Sequence, residues 1–181
     1  MQQIIDFYNL AMRLKQLKRS GWQRCGVEPC ESVAEHTFGV GVLALILADT
    51  AGVDRGKCLA LAVVHDLAES VVGDITPNDG IDSSEKQRRE REAIRNLSHD
   101  IGNDELARLW EEYERGQTPE AQLVRDLDVI EMAWQARRYV AQKLLNQASA
   151  NEFISSARER VRTDLGRRLL DVVIAQPTSP A

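Results

Sequence analysis

Apolar residues recur at helical spacing along almost the whole chain, and no stretch alternates polar and apolar residues for long enough to require a strand. The chain has 181 residues, no internal repeat and no linker, which suits one domain with a sizeable core. The predicted helices cover about 2–18, 32–49, 54–72, 85–97, 102–115, 119–146 and 150–174, with loops at 19–31 and 73–82. We therefore expect an all-α fold, a compact single-domain helical bundle over residues 1–174, followed by a disordered C-terminal tail at 175–181.

The charge, the apolar runs and the cysteine spacing of the chain argue against several classes of protein. The formal net charge of −5 lacks the basic footprint of a chain that grips the nucleic-acid backbone. The longest apolar run, residues 37–48, is too short to span a bilayer, and the first residues lack the order of a signal peptide. Cys25, Cys30 and Cys58 lack the spacing of a zinc site and fit free thiols in a reducing compartment. We expect a cytoplasmic protein whose partners include neither nucleic acid nor a membrane.

Residues 63–74, VVHDLAESVVGD, place four polar side chains among aliphatic ones: His65, Asp66, Glu69 and Asp74. Buried charge must be paired, hydrogen-bonded or bound to a metal, so a purely structural role for this group is costly. On a helix, Glu69 lies one turn after His65 and on its face. Asp66 points about a quarter-turn away from His65, close enough for both to share one metal.

Two other segments offer ligands for the same ion. His36 follows Ser32 and Glu35, whose spacing fits a capping box at the start of a buried helix. Asp126 and Asp128 lie in a largely apolar helix that has little structural use for them. Imidazole nitrogen together with carboxylate oxygen suits divalent transition metals. From the residues alone, a metal site and a satisfied network of polar groups both account for the pattern.

Several motifs in this chain occur in a recognisable order. They are LKRSGW (17–22), ESVAEH (31–36), HDLAES followed by GD (65–74), EKQRRERE (85–92) and LDVIEM (127–132). In order and spacing they resemble the HD-domain superfamily of metal-dependent phosphohydrolases. The branch they look most like contains the bacterial 5′-deoxynucleotidases and their eukaryotic HD-domain-containing relatives. The resemblance covers residues 4–140 and implies an HD-type helical bundle.

The resemblance implies a metal centre with four protein ligands: His36, His65, Asp66 and Asp128. Asp128 falls at the family's final aspartate, which leaves Asp126 on another face of the helix as a salt-bridge partner. The implied cofactor is one divalent metal ion, drawn from Mn, Co, Zn, Ni, Fe or Mg.

The resemblance also implies catalytic and substrate-binding residues. Glu69 and Asp74 match an acidic pair that handles the attacking water and the leaving oxygen, in a division of roles that the sequence leaves open. Arg19 and Trp22 match positions near the substrate's phosphate and sugar. In the bacterial enzymes the arginine and tryptophan are adjacent, whereas residues 20–21 separate them here, as in the eukaryotic relatives. This departure puts the preference for deoxyribose in doubt more than the phosphohydrolase chemistry.

Each of these residues also has a structural alternative. Trp22 could cover the core, Arg19 could be an ordinary surface cation, and Asp74 could tighten the turn before Pro77. These structural alternatives stay open beside the roles that the resemblance implies.

The function implied is that of a metal-dependent phosphomonoesterase, an enzyme that hydrolyses (deoxy)nucleoside 5′-monophosphates to nucleoside and phosphate. Its partners would be a small-molecule nucleotide substrate and a second copy of the chain in a homodimer. One alternative is a nucleotide-binding regulator without turnover, although such a protein would not require Glu69 and Asp74. The other is an HD phosphodiesterase or alarmone hydrolase. Binuclear members of that group need additional histidines, and this chain has only His99 beyond His36 and His65.

Overall fold

The computed structural model describes residues 1–76 and 79–176, and within those ranges the fold is all-α, as predicted. A 3-10 turn at Met12–Lys15 follows the first helix. The α helices are α1 (Gln2–Ala11), α2 (Ser20–Arg24), α3 (Val33–Ala51), α4 (Arg55–Val64), α5 (Glu69–Val72), α6 (Ser83–Asp100), α7 (Asp104–Arg115), α8 (Pro119–Ala141), α9 (Gln147–Arg160) and α10 (Asp164–Ala175).

Helices α3 and α8 form the centre of the bundle. Helix α3 packs on α4 and α8, and α8 also contacts α7, α9 and α10. The start of α3 carries the predicted capping box, in which the Ser32 hydroxyl accepts from the Glu35 N–H and the Glu35 carboxylate accepts from the Ser32 N–H. Helix α8 begins as predicted, with Thr118 as N-cap and Pro119 in the first turn. These local signals fix where both central helices begin.

Two predicted helices are divided in the structure. The predicted helix 54–72 consists of two helices, α4 and α5, which a turn at residues 65–68 separates. The segment 150–174 is divided into α9 and α10, because residues 161–163 leave the helical path and the Thr163 side chain caps α10. At each division a buried polar side chain forms hydrogen bonds with the backbone: His65 at the first and Asp126 at the second. The spacing of apolar residues does not predict such bonds.

Other boundaries differ by shorter stretches. The segment 2–18 is helical only to Ala11 before its 3-10 turn, α8 ends at Ala141, and the predicted loop 19–31 contains α2. Residues 77–78 of the predicted loop 73–82 lie outside the described residues. Residues 177–181 of the predicted tail also lie outside them, so the disorder of the tail and the domain limits stay predictions.

By length and composition, α3 qualifies among the described residues as a helix able to cross a membrane. In this fold it packs between α4 and α8 and buries Val40, Ala44 and Ala48 in the core. A core helix of a bundle passes the same test, and packing explains the apolar character of this buried face of α3.

Candidate metal centre and substrate cavity

Three segments of the bundle meet at one buried point. His36 lies in the first turn of α3 and is fully buried. His65 ends α4, and Asp66 follows it in the turn before α5. Asp128 lies within α8. The structure thus brings together all four residues for which the resemblance implies metal ligation.

The potential ligand atoms face one another across short distances. The Nε2 atoms of His36 and His65 lie 3.4 Å apart. Asp66 Oδ2 lies 3.2 Å from His65 Nε2 and 3.8 Å from His36 Nε2. Asp128 Oδ1 lies 3.2 Å from His36 Nε2. His36, His65 and Asp66 offer ligand atoms that all lie within 4.8 Å of one another, which is the arrangement a divalent ion requires.

The outer nitrogen of each histidine has a partner of its own. His65 Nδ1 lies 2.7 Å from the carbonyl oxygen of Ala62, and His36 Nδ1 lies 2.6 Å from Glu131 Oε2. Both partners accept a hydrogen bond from a protonated Nδ1, which leaves the Nε2 lone pairs directed toward each other. Two lone pairs 3.4 Å apart repel unless a cation lies between them, so the residues present fit a bound metal ion.

Glu131 was missed by the sequence interpretation, although a signal for it exists. It follows Asp128 by three residues and therefore lies on the same face of α8. An acid one turn from Asp128 and on the same face indicates a second polar partner for the same site.

The electrostatics of the site favour a positive charge. Burial alone disfavours a charged His36 imidazole, yet hydrogen bonds to Asp128 and Glu131 raise its pKa to about 10. Burial likewise disfavours a charged Asp66, but His65 and Arg19 hold the pKa of that carboxyl below its usual value. The negative potential at this point thus attracts a cation, either a proton or a metal ion.

Glu69 lies beside the ligands at the start of α5 with a side chain that is almost fully buried. Its Oε2 atom has no hydrogen-bond partner among the described residues. Burial and the carboxylates of Asp66 and Asp74 raise the pKa of Glu69 well above its usual value. A buried carboxyl with an unused oxygen is suited to exchange a proton with a water or a substrate oxygen.

Asp74 and Arg19 form the edge of the same site. Asp74 Oδ2 accepts a hydrogen bond of 2.6 Å from the Ser20 N–H, and its Oδ1 lies 4.0 Å from Arg19 Nη1. Arg19 Nη1 also lies 3.5 Å from Asp66 Oδ2. The Arg19 side chain is only 17% exposed, so it differs from an ordinary surface cation. The Asp74 side chain therefore holds the start of α2 and at the same time faces the site; residue 77 of the turn that it was expected to tighten lies outside the described residues.

Trp22 is 1% exposed and packs against Tyr139 and Phe153. Its Nε1–H donates a hydrogen bond of 2.7 Å to Glu31 Oε1. The ring therefore fills the core and, at the same time, lies in the wall of a cavity beside the metal centre. Its contact with a substrate's sugar stays a prediction.

Asp126 does not form the predicted salt bridge in the part of the chain that the structure describes. Its carboxylate is buried and accepts hydrogen bonds from the Arg162 N–H, the Thr163 N–H and the Thr163 hydroxyl. These bonds fix the turn between α9 and α10. The role of Asp126 is therefore to hold backbone, because unpaired N–H groups at a helix start need acceptors.

Two cavities open onto the metal centre. The first, about 440 Å³, is lined by Trp22, Asp74 and Phe153, and we call it the Trp22 cavity. The second, about 560 Å³, is lined by Gln87 and Tyr113, and we call it the Tyr113 cavity. The walls of both include Asp66, Glu69, Lys86, Asp128 and Arg160. The first cavity has the size of a small-molecule site, and both meet at the ligands.

Comparison with known proteins places these features in a family. A family model described as HD domain matches residues 11–167. A Danio rerio protein named 5′-deoxynucleotidase HDDC2 is 42% identical over 142 residues, covering 77% of this chain and 70% of the relative. The Saccharomyces cerevisiae protein named 5′-deoxynucleotidase YGK1 is 36% identical over 167 residues, covering 88% and 76%.

Solved structures agree with the fold. A crystal structure of a Pyrococcus horikoshii protein superposes with a TM-score of 0.81 at 34% identity, covering 94% of this chain and 96% of that one. A cyanophage S-2L HD phosphohydrolase, bound to dA and one catalytic Zn²⁺ ion, superposes with a TM-score of 0.60 at 19% identity, covering 92% and 91%. The second likeness concerns the fold alone. With its helical bundle, its His-Asp centre and these relatives, this chain belongs to the HD domain family.

Proposed function

We propose that this protein is a metal-dependent phosphohydrolase that releases phosphate from deoxynucleoside 5′-monophosphates. The observation that carries the proposal is the convergence of the His36 and His65 Nε2 atoms beside Asp66 and Asp128, with the buried Glu69 carboxyl adjacent. The names of the relatives, which are 36% to 42% identical, support the choice of substrate.

His36, His65, Asp66 and Asp128 would hold the ion. Bound there, a divalent metal supplies a Lewis acid that neutralises charge on a phosphoryl group and lowers the pKa of a water molecule. The outer contacts of the histidines, to Glu131 and to the Ala62 carbonyl, keep both Nε2 lone pairs directed inward.

The acids beside the ligands supply proton transfer. Glu69 accepts a proton from the attacking water, because its unused Oε2 is buried at the junction of the two cavities. The proton that Glu69 takes from the water goes to the leaving 5′-oxygen as the bond between that oxygen and phosphorus breaks. Asp74, held by the Ser20 N–H, faces the Trp22 cavity and can relay that proton. Arg19 orients both carboxylates and offers guanidinium donors to the phosphate oxygens.

The nucleoside would occupy the Trp22 cavity. That cavity offers the aromatic rings of Trp22 and Phe153 together with Met132, a lining suited to a sugar and a base. The preference for deoxyribose rests on the names of the relatives.

The decisive experiment measures phosphate release from dAMP and AMP by metal-stripped protein re-loaded with Mn²⁺ or Co²⁺. Release that requires metal, favours dAMP and disappears in Asp66→Ala is the expected result. Asp100→Ala is the matched control, since it alters a second His-Asp pair whose side chains are largely exposed. Equal release from dAMP and AMP would overturn the sugar preference alone. If the protein binds nucleotide but releases no phosphate with any metal, the proposed enzyme activity is wrong and the protein is a nucleotide-binding regulator.

A homodimer is also proposed, and one face of α3 supports it. Phe38, Val42, Leu45 and Ile46 recur at helical spacing, and their side chains are exposed. Contiguous exposed apolar surface is typical of protein interfaces. Light scattering on the purified protein should give twice the chain mass, and Phe38→Glu should give the monomer. A monomeric wild-type protein would contradict this proposal.

We also propose a cytoplasmic location, because the cysteines do not form disulfide bonds among the described residues. Cys25, Cys30 and Cys58 are all free, and two of them are buried. Free thiols persist in reducing compartments. Fractionation of cells expressing the tagged protein tests this location.

A further inference from the structure

Two cations lie where the cavities meet. Lys86 and Arg160 appear in the walls of both the Trp22 cavity and the Tyr113 cavity, together with Asp66, Glu69 and Asp128. The three acids belong to the metal centre and its proton transfer. The position shared by both cavities is where a phosphate must sit if the nucleoside fills one cavity and the metal centre acts on its ester. The two cations therefore border the phosphate position.

Lys86 reaches this position from the first turn of α6. Its Nζ atom donates a hydrogen bond of 2.8 Å to the Ile75 carbonyl oxygen and lies 3.4 Å from Glu90 Oε1. An ammonium group has three donors, so these two contacts leave one available. The hydrogen bond to the Ile75 carbonyl fixes the position of the Lys86 ammonium group. Because a carbonyl is neutral, this bond does not neutralise the positive charge of the ammonium group.

Arg160 reaches the same position from the last turn of α9. Its Nη2 atom lies 3.6 Å from Asp128 Oδ2, which is longer than a hydrogen bond. That oxygen already accepts a hydrogen bond of 3.0 Å from the Tyr113 hydroxyl. The guanidinium thus lies beside the metal centre with its five donors uncommitted to Asp128.

Fold stability does not explain the position of Arg160. Its side chain is 54% exposed, and an exposed ion pair of this kind contributes little to the free energy of unfolding. Arg19 also offers donors to the phosphate, but it lies between Asp66 and Asp74, whose negative charges offset its own. A substrate phosphate carries two negative charges into a site that already holds several carboxylates. Cations with unused donors are needed to bind it.

We propose that Lys86 and Arg160 bind the phosphate group of the substrate, from α6 and from α9 respectively. This inference rests on the proposed function and assigns phosphate binding to two residues outside the metal ligands and the acid pair. It also gives the C-terminal helices a part in the site, because α9 supplies one of the two cations.

The test compares Lys86→Gln and Arg160→Gln with wild type in Mn²⁺-loaded protein. The Michaelis constant for dAMP and the inhibition constant for inorganic phosphate should each rise about 10- to 100-fold in both variants, as expected for the loss of a charged hydrogen bond. Arg158→Gln removes the same charge from the same turn of α9 but lies outside both cavities, so its constants should match wild type. Arg160→Lys should retain most of the phosphate affinity.

A second readout separates phosphate binding from support of the metal ligands. Calorimetric titration with Mn²⁺ should give the same metal affinity in Arg160→Gln as in wild type. A weakened metal affinity with an unchanged inhibition constant for phosphate would overturn the proposal, because Arg160 would then only orient Asp128. Unchanged constants in both Gln variants would overturn it as well.

Failure of the proposed function is distinguishable from failure of this inference. If wild-type protein does not hydrolyse dAMP, the proposed function is wrong. Calorimetry with inorganic phosphate and the metal-loaded protein still decides whether the two cations bind phosphate. Binding in wild type that is lost in both variants supports the inference, and binding that persists in them, or is absent from wild type, overturns it.

Discussion

Glu131 Oε2 lies 2.6 Å from His36 Nδ1, on the opposite side of the imidazole ring from the Nε2 atom that faces His65. A carboxylate at that distance accepts a hydrogen bond from the Nδ1–H, which leaves a lone pair on Nε2 of the neutral imidazole. The contact therefore selects the tautomer of His36 that can ligate a metal, and it does so from outside the ligand set.

Replacing Glu131 by Gln should weaken metal binding. The amide can turn its NH₂ group toward Nδ1, which would place the imidazole proton on Nε2 and block ligation. Loss of such an outer partner typically lowers metal affinity about 10- to 100-fold. Calorimetric titration with Mn²⁺ measures it. Glu120→Gln is the matched control, because this acid lies on the same helix and pairs with Lys57. An unchanged affinity in Glu131→Gln would show that Glu131 does not set the tautomer.

Gly39 makes room for Glu131, and its replacement by Ala should reproduce that loss. A Cβ atom at Gly39 would lie 2.8 Å from Glu131 Oε1 and 3.0 Å from its Cγ, so the acid side chain must move. A Cβ at Gly41, on the same helix, meets no atom within 4 Å. Gly41→Ala should raise the stability of the helix by up to about 1 kcal/mol, whereas the displacement of Glu131 offsets this gain in Gly39→Ala. Metal affinity should fall in Gly39→Ala alone, and equal affinities in the two variants would contradict this.

Substitution of Asp126 should lower the stability of the protein, whereas substitution of Asp128 should lower its metal affinity. Asp126→Ala removes the acceptor of three hydrogen bonds that hold the turn between α9 and α10. It should lower the free energy of unfolding by on the order of 3 kcal/mol and leave the metal affinity of the folded protein unchanged. Asp128→Ala should abolish tight metal binding. Denaturant unfolding and metal titration of both variants check this, and similar profiles would contradict the separation of roles.

Glu90 should make the protein less stable as the pH rises. Burial raises the pKa of this carboxyl in the folded protein to about 7, from 4.5, although Lys86 opposes the shift. The folded state thus keeps a proton that the unfolded chain has lost, and stability falls as the pH rises from 4.5 to 7. Above that window the ionised group costs about 3 kcal/mol.

Glu90→Gln should remove this pH dependence. The variant should equal wild type in stability at pH 4.5 and exceed it by about 1 to 3 kcal/mol at pH 8. Denaturant unfolding at both pH values measures the difference. Glu92→Gln is the matched control on the same helix, since its side chain is 65% exposed. A difference between Glu90→Gln and wild type that is the same at both pH values would refute the assignment.

The sequence was sufficient to find the residues that meet at the metal centre. His65, Asp66 and His36 were found because charged or ionisable groups among aliphatic residues need partners, and the motifs that resemble the HD family pointed to Asp128. The starts of α3 and α8 were found because capping is a local interaction. These are features that a few neighbouring residues specify, so they can be read along the chain.

The residues that the sequence missed depend on packing between distant segments. Arg160 is an arginine in a polar helix, and nothing near it in the sequence distinguishes it from Arg158. Its place beside Asp128 follows from the turn that Asp126 stabilises, which brings the end of α9 to α8. The division of the last predicted helix was missed for the same reason, because its cause lies 36 residues away.

The ligands of the metal centre come from α3, from the turn after α4 and from α8, so no short fragment of the chain contains the whole set. A newly made chain must emerge beyond Asp128 and bring α8 against α3 before four ligands can meet. Binding of the metal by all four ligands therefore follows the packing of α8 against α3. The complete four-ligand site thus exists only after α8 has packed in the bundle. A chain that ends before α8 lacks Asp128 and therefore lacks the complete site.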